Sequence, residues 1–312
     1  MGYPLEDKLV VAVASSALFN LSDSDRVFRE KGLEAYEQYQ QKNLNKKLRP
    51  GVAFPFIKRL LHINSFFPDN KPVEVILLSK NNIDTGLRVF RSISAHNLDI
   101  TRAAFLSGSS PYKYISAYDT SLFLSGNECD VKDAMRAGCP AGFVLNSKII
   151  DDDKSQELRI AFDFDGVIAG DESEAIYKKE GIEKYHEYEV LYANNPLHIG
   201  PLGKLLQKIS KIQKLEEQEA KRNKEYTPIL RTSIITARNA PAHERVITTL
   251  KYHGISVDEA FFMGGVNKAT ILEVMKPHIF FDDQKLHLKN LKNVPAVHIP
   301  FGVANIEAID NC

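Results

Sequence analysis

Arg159-Ile160-Ala161-Phe162-Asp163-Phe164-Asp165-Gly166-Val167 is an apolar run that ends on two carboxylates and a glycine. Read as a strand, it carries Asp163 and Asp165 out on the same side, because side chains two apart point the same way. Gly166 lets the chain turn sharply just beyond them. Two carboxylates this close repel each other and persist only where a cation or a shared proton compensates. A hard, oxygen-seeking divalent ion such as Mg2+ answers that need and leaves one carboxylate available as a nucleophile. Alone the Asp-x-Asp pattern is weak, since such pairs are common in turns and on solvated surfaces.

Three further stretches strengthen it. Arg231-Thr232-Ser233-Ile234-Ile235-Thr236 reads as a strand ending in a hydroxyl. Gly264-Gly265-Val266-Asn267-Lys268 is a glycine turn with a lysine at a helix start. His278-Ile279-Phe280-Phe281-Asp282-Asp283 is a strand ending in carboxylates. In an open α/β sheet, ligands bind at the carboxyl ends of the strands. Converging there, the four groups supply a nucleophile, a phosphate-binding hydroxyl, a charge-neutralising ammonium and metal ligands. Each has a plainer reading. Thr236 could cap a helix beginning near Ala240, Lys268 could be a surface lysine, and Asp282 and Asp283 could cap the next helix. All four at strand ends argue for chemistry. Arg238 and Asn239 follow the hydroxyl, within reach of phosphate, ribose or the surface.

Lys plus Arg balances Asp plus Glu, 40 against 40, in a chain of 312 residues. That balance gives no electrostatic case for nucleic acid as the main partner. The length suits one large or two ordinary domains. No apolar run approaches the ~20 residues of a membrane span, and the N-terminus lacks the basic start and apolar core of a signal peptide. Gly2 would suit myristoylation, but Glu6 stands where Ser or Thr is needed. The cysteines, Cys129, Cys139 and Cys312, are odd in number and widely spaced, so reduced thiols in a cytoplasmic protein are expected.

Strand and helix signals alternate throughout, the pattern of a parallel α/β sheet. Strands are expected at 8–15, 73–79, 103–107, 121–125 and 142–145, then at 158–164, 231–236, 259–263, 278–282 and 296–299. Helices are expected at 83–95, 128–137, 240–253 and 284–292. The polar segment 146–157 reads as a linker, its acidic run Asp151-Asp152-Asp153 as a solvated loop. This divides the chain into an N-terminal α/β half, 1–150, and a C-terminal half, 151–312, with a helical insertion at about 170–228. In the insertion Leu205, Ile209, Ile212 and Leu215 recur at helical spacing, with Lys204, Lys208, Lys211 and Lys214 on another face.

The halves resemble each other. Ala12 to Leu18 lies over Ala161 to Val167, and Leu77-Leu78-Ser79 over Ile234-Ile235-Thr236. Ser79 to Ser125 spans the same interval as Thr236 to Asp282, and Gly108 and Gly265 fall at equal distances beyond Ser79 and Thr236. An internal duplication accounts for this, as does the common length of α/β units. If duplicated, the first half carries Ala14, Ser16 and Ser125-Gly126 where the second has aspartates, keeping the scaffold without the chemistry.

The ordered set Asp163/Asp165, Thr236, Lys268, Asp282/Asp283 resembles the four motifs of haloacid-dehalogenase-type phosphatases over about residues 158–300. A wider set resembles the cytosolic 5'-nucleotidase type I family: Val10-Val11-Ala12-Val13-Ala14-Ser15-Ser16, Ala53-Phe54-Pro55-Phe56, Phe162-Asp163 through Asp171-Glu172-Ser173-Glu174, Ile235-Thr236-Ala237-Arg238, and Pro277 through Gln284. Phe164 stands where animal members carry a small residue, its side chain directed away from the aspartates. The resemblance implies a Rossmann-like sheet of haloacid-dehalogenase type with a small helical cap. It also implies Mg2+-dependent hydrolysis of nucleoside 5'-monophosphates in the cytoplasm. Asp163 would be the nucleophile and Asp165 the acid and base. The metal would be held by Asp163, the Asp165 carbonyl, and Asp282 or Asp283. Thr236 and Lys268 would hold the phosphoryl group, with Gly166, Ala237, Arg238 and Asn239 contributing to substrate binding. A sugar-phosphate phosphatase and a nucleotide-binding regulatory protein with lost catalysis stay open on the residues alone, as does homo-oligomerisation.

Overall fold

The computed structural model describes residues 5–148, 151–152, 155–289 and 291–305. Gly2, Asp153 and Cys312, each read above, lie outside them. The chain divides into two compact units, Met1–Ile149 and Ile150–Cys312.

In the first unit five parallel strands, β1 (Leu9–Val13), β2 (Val73–Ser79), β3 (Arg102–Phe105), β4 (Leu122–Ser125) and β5 (Ala141–Val144), lie in the order β3-β2-β1-β4-β5. Strands β1 and β2 are buried along their whole length, as near-continuous apolar runs in a parallel sheet must be. Between them come helices α1 (Ser22–Lys42) and α2 (Phe54–His62). Helix α3 (Ile83–Ala95) follows β2, started by Asn82, whose side chain accepts from Thr85 N at 2.8 Å. Helix α4 (Glu128–Arg136) follows β4, capped in the same way by Asn127.

The second unit repeats the pattern. Strands β6 (Leu158–Phe162), β7 (Leu230–Thr236), β8 (Glu259–Phe262), β9 (Ile279–Asp282) and β10 (Ala296–His298) are parallel, in the order β8-β7-β6-β9-β10. Helices α5 (Glu172–Leu191) and α6 (Gly203–Arg222) lie between the first two strands, α7 (His243–Tyr252) follows β7, and α8 (Lys268–Met275) follows β8. The stacked rings of Phe162 and Phe281, 5.2 Å apart and fully buried, join β6 to β9 in the core. Burying each such side chain contributes roughly 1.5–3 kcal/mol.

In helix α6 Leu205, Ile209 and Ile212 are buried and Lys204, Lys211 and Lys214 exposed, as the spacing predicts, but Leu215, expected on the apolar face, is exposed. Its buried Glu216 accepts from Tyr226 Oη, Ile229 N and Leu230 N, which ties it to the start of β7. It therefore belongs to the layer on the sheet.

Both α1 and α5 are interrupted by a glycine with non-helical backbone, Gly32 (φ 80°, ψ −173°) and Gly181 (φ 83°, ψ −179°). That region is open essentially to glycine alone. Two expectations need correcting. Among the described residues the segment 284–292 carries only a four-residue helix, Lys285–Leu288, because the chain must then cross to β10 at Ala296. Cys129 is disulfide-bonded, and Cys139 is a buried free thiol. Spacing along a chain does not report which cysteines meet in space.

Candidate active site

The site is assembled where strands β6, β7 and β9 end. Asp163 N donates to Phe281 O at 2.7 Å, which sets the ends of β6 and β9 side by side and brings Asp163 to Asp282. Lys268, the first residue of α8, is buried between them, its Nζ 2.5 Å from Asp163 Oδ2 and 2.8 Å from Asp282 Oδ2. It is no surface lysine. Burial pushes the Asp163 carboxyl up to about 7 against the opposing pull of Lys268. Asp282 is buried too, but Lys268 and His287 hold its carboxyl below the usual range. Lys268, despite burial, is held above the ordinary lysine value by the two aspartates.

Asp282 is fully engaged. Its Oδ1 accepts from Gln284 N at 2.8 Å, and His287 Nδ1 lies 3.1 Å from both carboxylate oxygens. Asp283 is the opposite case: both its carboxylate oxygens are buried with no hydrogen-bond partner among the described residues. Burial, with repulsion from Asp163, Asp282 and Glu174, pushes its carboxyl up to about 10. Gly166 (φ 71°) makes room for it, since a Cβ there would lie 2.6 Å from Asp283 Oδ2. Two unpartnered oxygens beside a second carboxylate are the donor set a hard cation takes. Asp163, Asp282 and His287 also bring ligand atoms within 4.8 Å of one another. Lys268 engages both Asp163 and Asp282, so the unpartnered oxygens are those of Asp283, and Asp163 is the carboxylate beside them that also faces the cavity.

Asp165 faces a different partner. Arg238 donates to it bidentately, Nε to Oδ2 and Nη2 to Oδ1, both at 2.7 Å. The guanidinium is buried, with its remaining nitrogen, Nη1, on Glu189 Oε2. Glu189, fully buried, accepts also from Arg245 Nη1 (3.1 Å) and Ser173 Oγ (2.6 Å). Arg238 lies over the rings of Phe164 (5.3 Å) and Tyr185 (5.8 Å). Burial opposes its charge, but Asp165 and Glu189 raise its pKa further still.

A cavity of about 510 Å³ opens above these groups, within the range that accepts a small ligand. Its floor is Asp163, Asp165, Thr236, Ala237, Arg238 and Asn239, with Gly264 and Gly265 at the rim. Thr236 is buried and its Oγ1 accepts from Arg238 N at 3.2 Å; the next helix takes its N-cap at Ala242, so Thr236 is no cap. One wall comes from α5: Glu174, Tyr177, Lys178, Ile182, Tyr185 and His186. The Tyr177 and Tyr185 rings meet edge to face, 6.0 Å apart.

Thus Asp163, Asp165, Thr236, Ala237, Arg238 and Asn239 meet at one cavity, while Lys268, Asp282, Asp283 and Gly166 pack against Asp163 and one another below it. Sequence reasoning missed the α5 wall, the Glu189–Arg245 support and His287. A signal for the wall was present: Ser24 to Gln40 aligns with Ser173 to Glu189 at the offset that carries Ala14 onto Asp163.

Residues 1–306 match the family model described as 5'-nucleotidase. Over 303 residues the chain is 33% identical to human cytosolic 5'-nucleotidase 1B, covering 94% of this chain and 48% of that protein. The chain thus spans about half the length of this curated relative. Among the described residues no helix is long and apolar enough to cross a membrane.

Proposed function

Since the chain belongs to the 5'-nucleotidase family, we propose that it hydrolyses nucleoside 5'-monophosphates to nucleoside and phosphate, in the cytosolic setting its human relative's name carries. The observation that bears most weight is the buried cluster Asp163–Lys268–Asp282–Asp283 beneath a cavity with an aromatic wall.

Asp163 attacks phosphorus and carries the phosphoryl group as an aspartyl-phosphate. Asp165, once one oxygen leaves Arg238 and takes up a proton, protonates the departing 5'-oxygen and then takes a proton from the water that releases phosphate. Lys268 holds Asp163 in place and offsets the charge of the transferring group. Thr236 and the neighbouring backbone N–H groups receive phosphoryl oxygens. Asp163 and Asp283, with the Asp165 carbonyl, are the residues that would hold Mg2+. The ion would screen the carboxylate nucleophile from the anionic phosphate. With the phosphate at the floor, the nucleoside lies along α5, its base against Tyr177, Ile182 and Tyr185. That helix acts as the cap. A sugar phosphate would leave this wall unused.

We read the second unit as haloacid-dehalogenase type, and the first as its duplicate. Matching hydrogen bonds support duplication. Arg88 Nη1 donates to Gln40 Oε1 (3.0 Å) as Arg245 Nη1 does to Glu189 Oε1 (3.1 Å). Leu48 N donates to Ser92 Oγ (2.9 Å) as Leu197 N does to Thr249 Oγ1 (3.1 Å). His96 Nε2 meets Leu48 O (2.8 Å) as His253 Nε2 meets Leu197 O (2.9 Å). Each pair sits at the same two sequence offsets. Unrelated α/β units share an architecture but have no reason to share such bonds.

The test is phosphate release from nucleoside 5'-monophosphates and sugar phosphates, with Mg2+ and with EDTA. Release confined to nucleotides and lost in EDTA is expected. A preference for sugar phosphates would refute the substrate, and activity in EDTA would refute the metal.

A further inference from the structure

We propose that the N-terminal unit holds a second nucleotide site that binds a nucleoside monophosphate without a metal and without hydrolysing it. The inference rests on the duplication and on α5 as the base wall.

The wall is retained. Phe28, Leu33 and Tyr36 of α1 occupy the places of Tyr177, Ile182 and Tyr185 of α5. The ring pairs match: Phe28–Tyr36 at 5.8 Å and 78°, Tyr177–Tyr185 at 6.0 Å and 78°. Exposure matches as well. Phe28 and Tyr177 are each 50% exposed, Leu33 58% and Ile182 52%. Apolar side chains held this open lose hydrophobic stabilisation unless something covers them. In the second unit the proposed cover is a base. Helix α1 also faces its strand ends as a wall should: Tyr36 Oη donates to Asn81 Oδ1 (3.2 Å) and Asn82 Nδ2 to Glu37 Oε1 (3.0 Å). Asn81 and Asn82 stand in the places of Arg238 and Asn239.

The floor has changed in a consistent way. Asp163, Asp165, Asp282 and Asp283 are replaced by Ala14, Ser16, Ser125 and Gly126, and Lys268 by Pro111. Arg238 becomes Asn81, and its buried counter-ion Glu189 becomes Gln40. The hydroxyl persists, since Ser79 accepts from Asn81 N at 3.2 Å as Thr236 does from Arg238 N at 3.2 Å. In place of Ala237 comes Lys80, its Nζ 2.5 Å from the buried Asp130, which replaces His287. The second unit's floor sets four carboxylates against two cations and needs a metal to receive a phosphate. The first unit's floor has one of each. It therefore admits a phosphate ester without a metal, and with no nucleophile it cannot cleave one.

AMP binding to Asp163→Asn, which cannot turn AMP over, tests this by equilibrium dialysis. Two AMP per chain are expected with Mg2+ and one in EDTA. Phe28→Ala, or Leu33→Ala as a second variant at an exposed position, should weaken the EDTA-resistant site about tenfold or more, as loss of a stacking platform does. Tyr177→Ala should weaken only the Mg2+-dependent site. Adenosine should bind the EDTA-resistant site at least tenfold more weakly than AMP. No binding in EDTA, or EDTA-resistant binding indifferent to both Phe28→Ala and Leu33→Ala, would overturn the proposal. So would equal affinity for adenosine and AMP. A single Mg2+-dependent site would sink this inference while leaving the catalytic reading intact. Loss of the Mg2+-dependent site alone, in a variant that has given up a metal-holding carboxylate, would leave this inference standing on the EDTA-resistant site.

Discussion

Glu189 and Arg238 offer a test in which stability and activity should part company. Arg238→Asn removes a buried guanidinium from two carboxylates at once. Glu189, fully buried, then keeps only Arg245 and Ser173, with Oε2 left unpaired. Breaking one side of a buried ion pair costs about 3–5 kcal/mol. Glu189→Gln is milder, because Arg238 still holds Asp165 through two bonds of 2.7 Å. A cost of about 1–3 kcal/mol is expected there, that of a weakened charged hydrogen bond. The double variant makes the pair that the first unit already carries, Asn81 and Gln40, in which Gln40 takes Arg88 at 3.0 Å. The fully buried carboxylate is then gone, and only the partly exposed Asp165 is left without its guanidinium. The double variant should therefore be more stable than the sum of the singles implies, with a coupling of about 1–3 kcal/mol.

Activity should behave otherwise. Asp165 loses its bidentate partner in Arg238→Asn and does not regain it in the double variant, so kcat should stay depressed in both. Urea denaturation of the four proteins, with phosphate release under the same buffer, reads both quantities. Strictly additive stability would refute the charge-balance argument. Recovery of kcat along with stability would refute the role of Arg238 in positioning Asp165.

Other consequences are simpler to state. Asp163→Asn should reduce phosphate release to background while the protein stays folded; undiminished turnover would end the nucleophile assignment. Gly166→Ala meets both a left-handed backbone (φ 71°) and a contact of 2.6 Å with Asp283 Oδ2. It should cost about 1–3 kcal/mol and weaken Mg2+ binding at least tenfold by calorimetry, and unchanged affinity would remove Asp283 from the metal. Without metal, Asp283 (about 10) and Asp163 (about 7) are raised above their unfolded values. The folded state then binds more protons than the unfolded state, so stability in EDTA falls as pH rises through that window. The slope has an upper limit of about 1.4 kcal/mol per pH unit for each group. Mg2+ should relieve it, so the gap between midpoints with Mg2+ and with EDTA should widen from pH 6 to 9; a constant gap would contradict the assignment.

What could be read from the sequence divides along physical lines. Parallel strands are continuous apolar runs, and those ending in Asp163, Thr236 and Asp282 announce themselves because a charged or hydroxyl residue stops the run where the sheet stops. Their convergence follows from topology: in a parallel sheet every strand delivers its carboxyl end to the same edge. The Asp165–Arg238–Glu189 chain was not legible. It joins residues from the end of β6, the turn after β7 and helix α5, and no local pattern says which carboxylate a guanidinium will meet. The α5 wall was hidden for another reason. Tyr177, Ile182 and Tyr185 lie on either side of the break at Gly181, so no regular helical spacing links them, and an apolar residue in a helix reads first as core. Only exposure separates a core stripe from a binding wall, and Tyr177 and Ile182 are half open. The same blindness covers Phe28 and Leu33. Aligned against the second half, however, they are apolar residues kept where every catalytic charge has gone. If the first unit is a duplicate, Phe28 and Leu33 keep the apolar character and exposure of Tyr177 and Ile182 where the aspartates are gone, and a ligand with an aromatic face would cover both pairs.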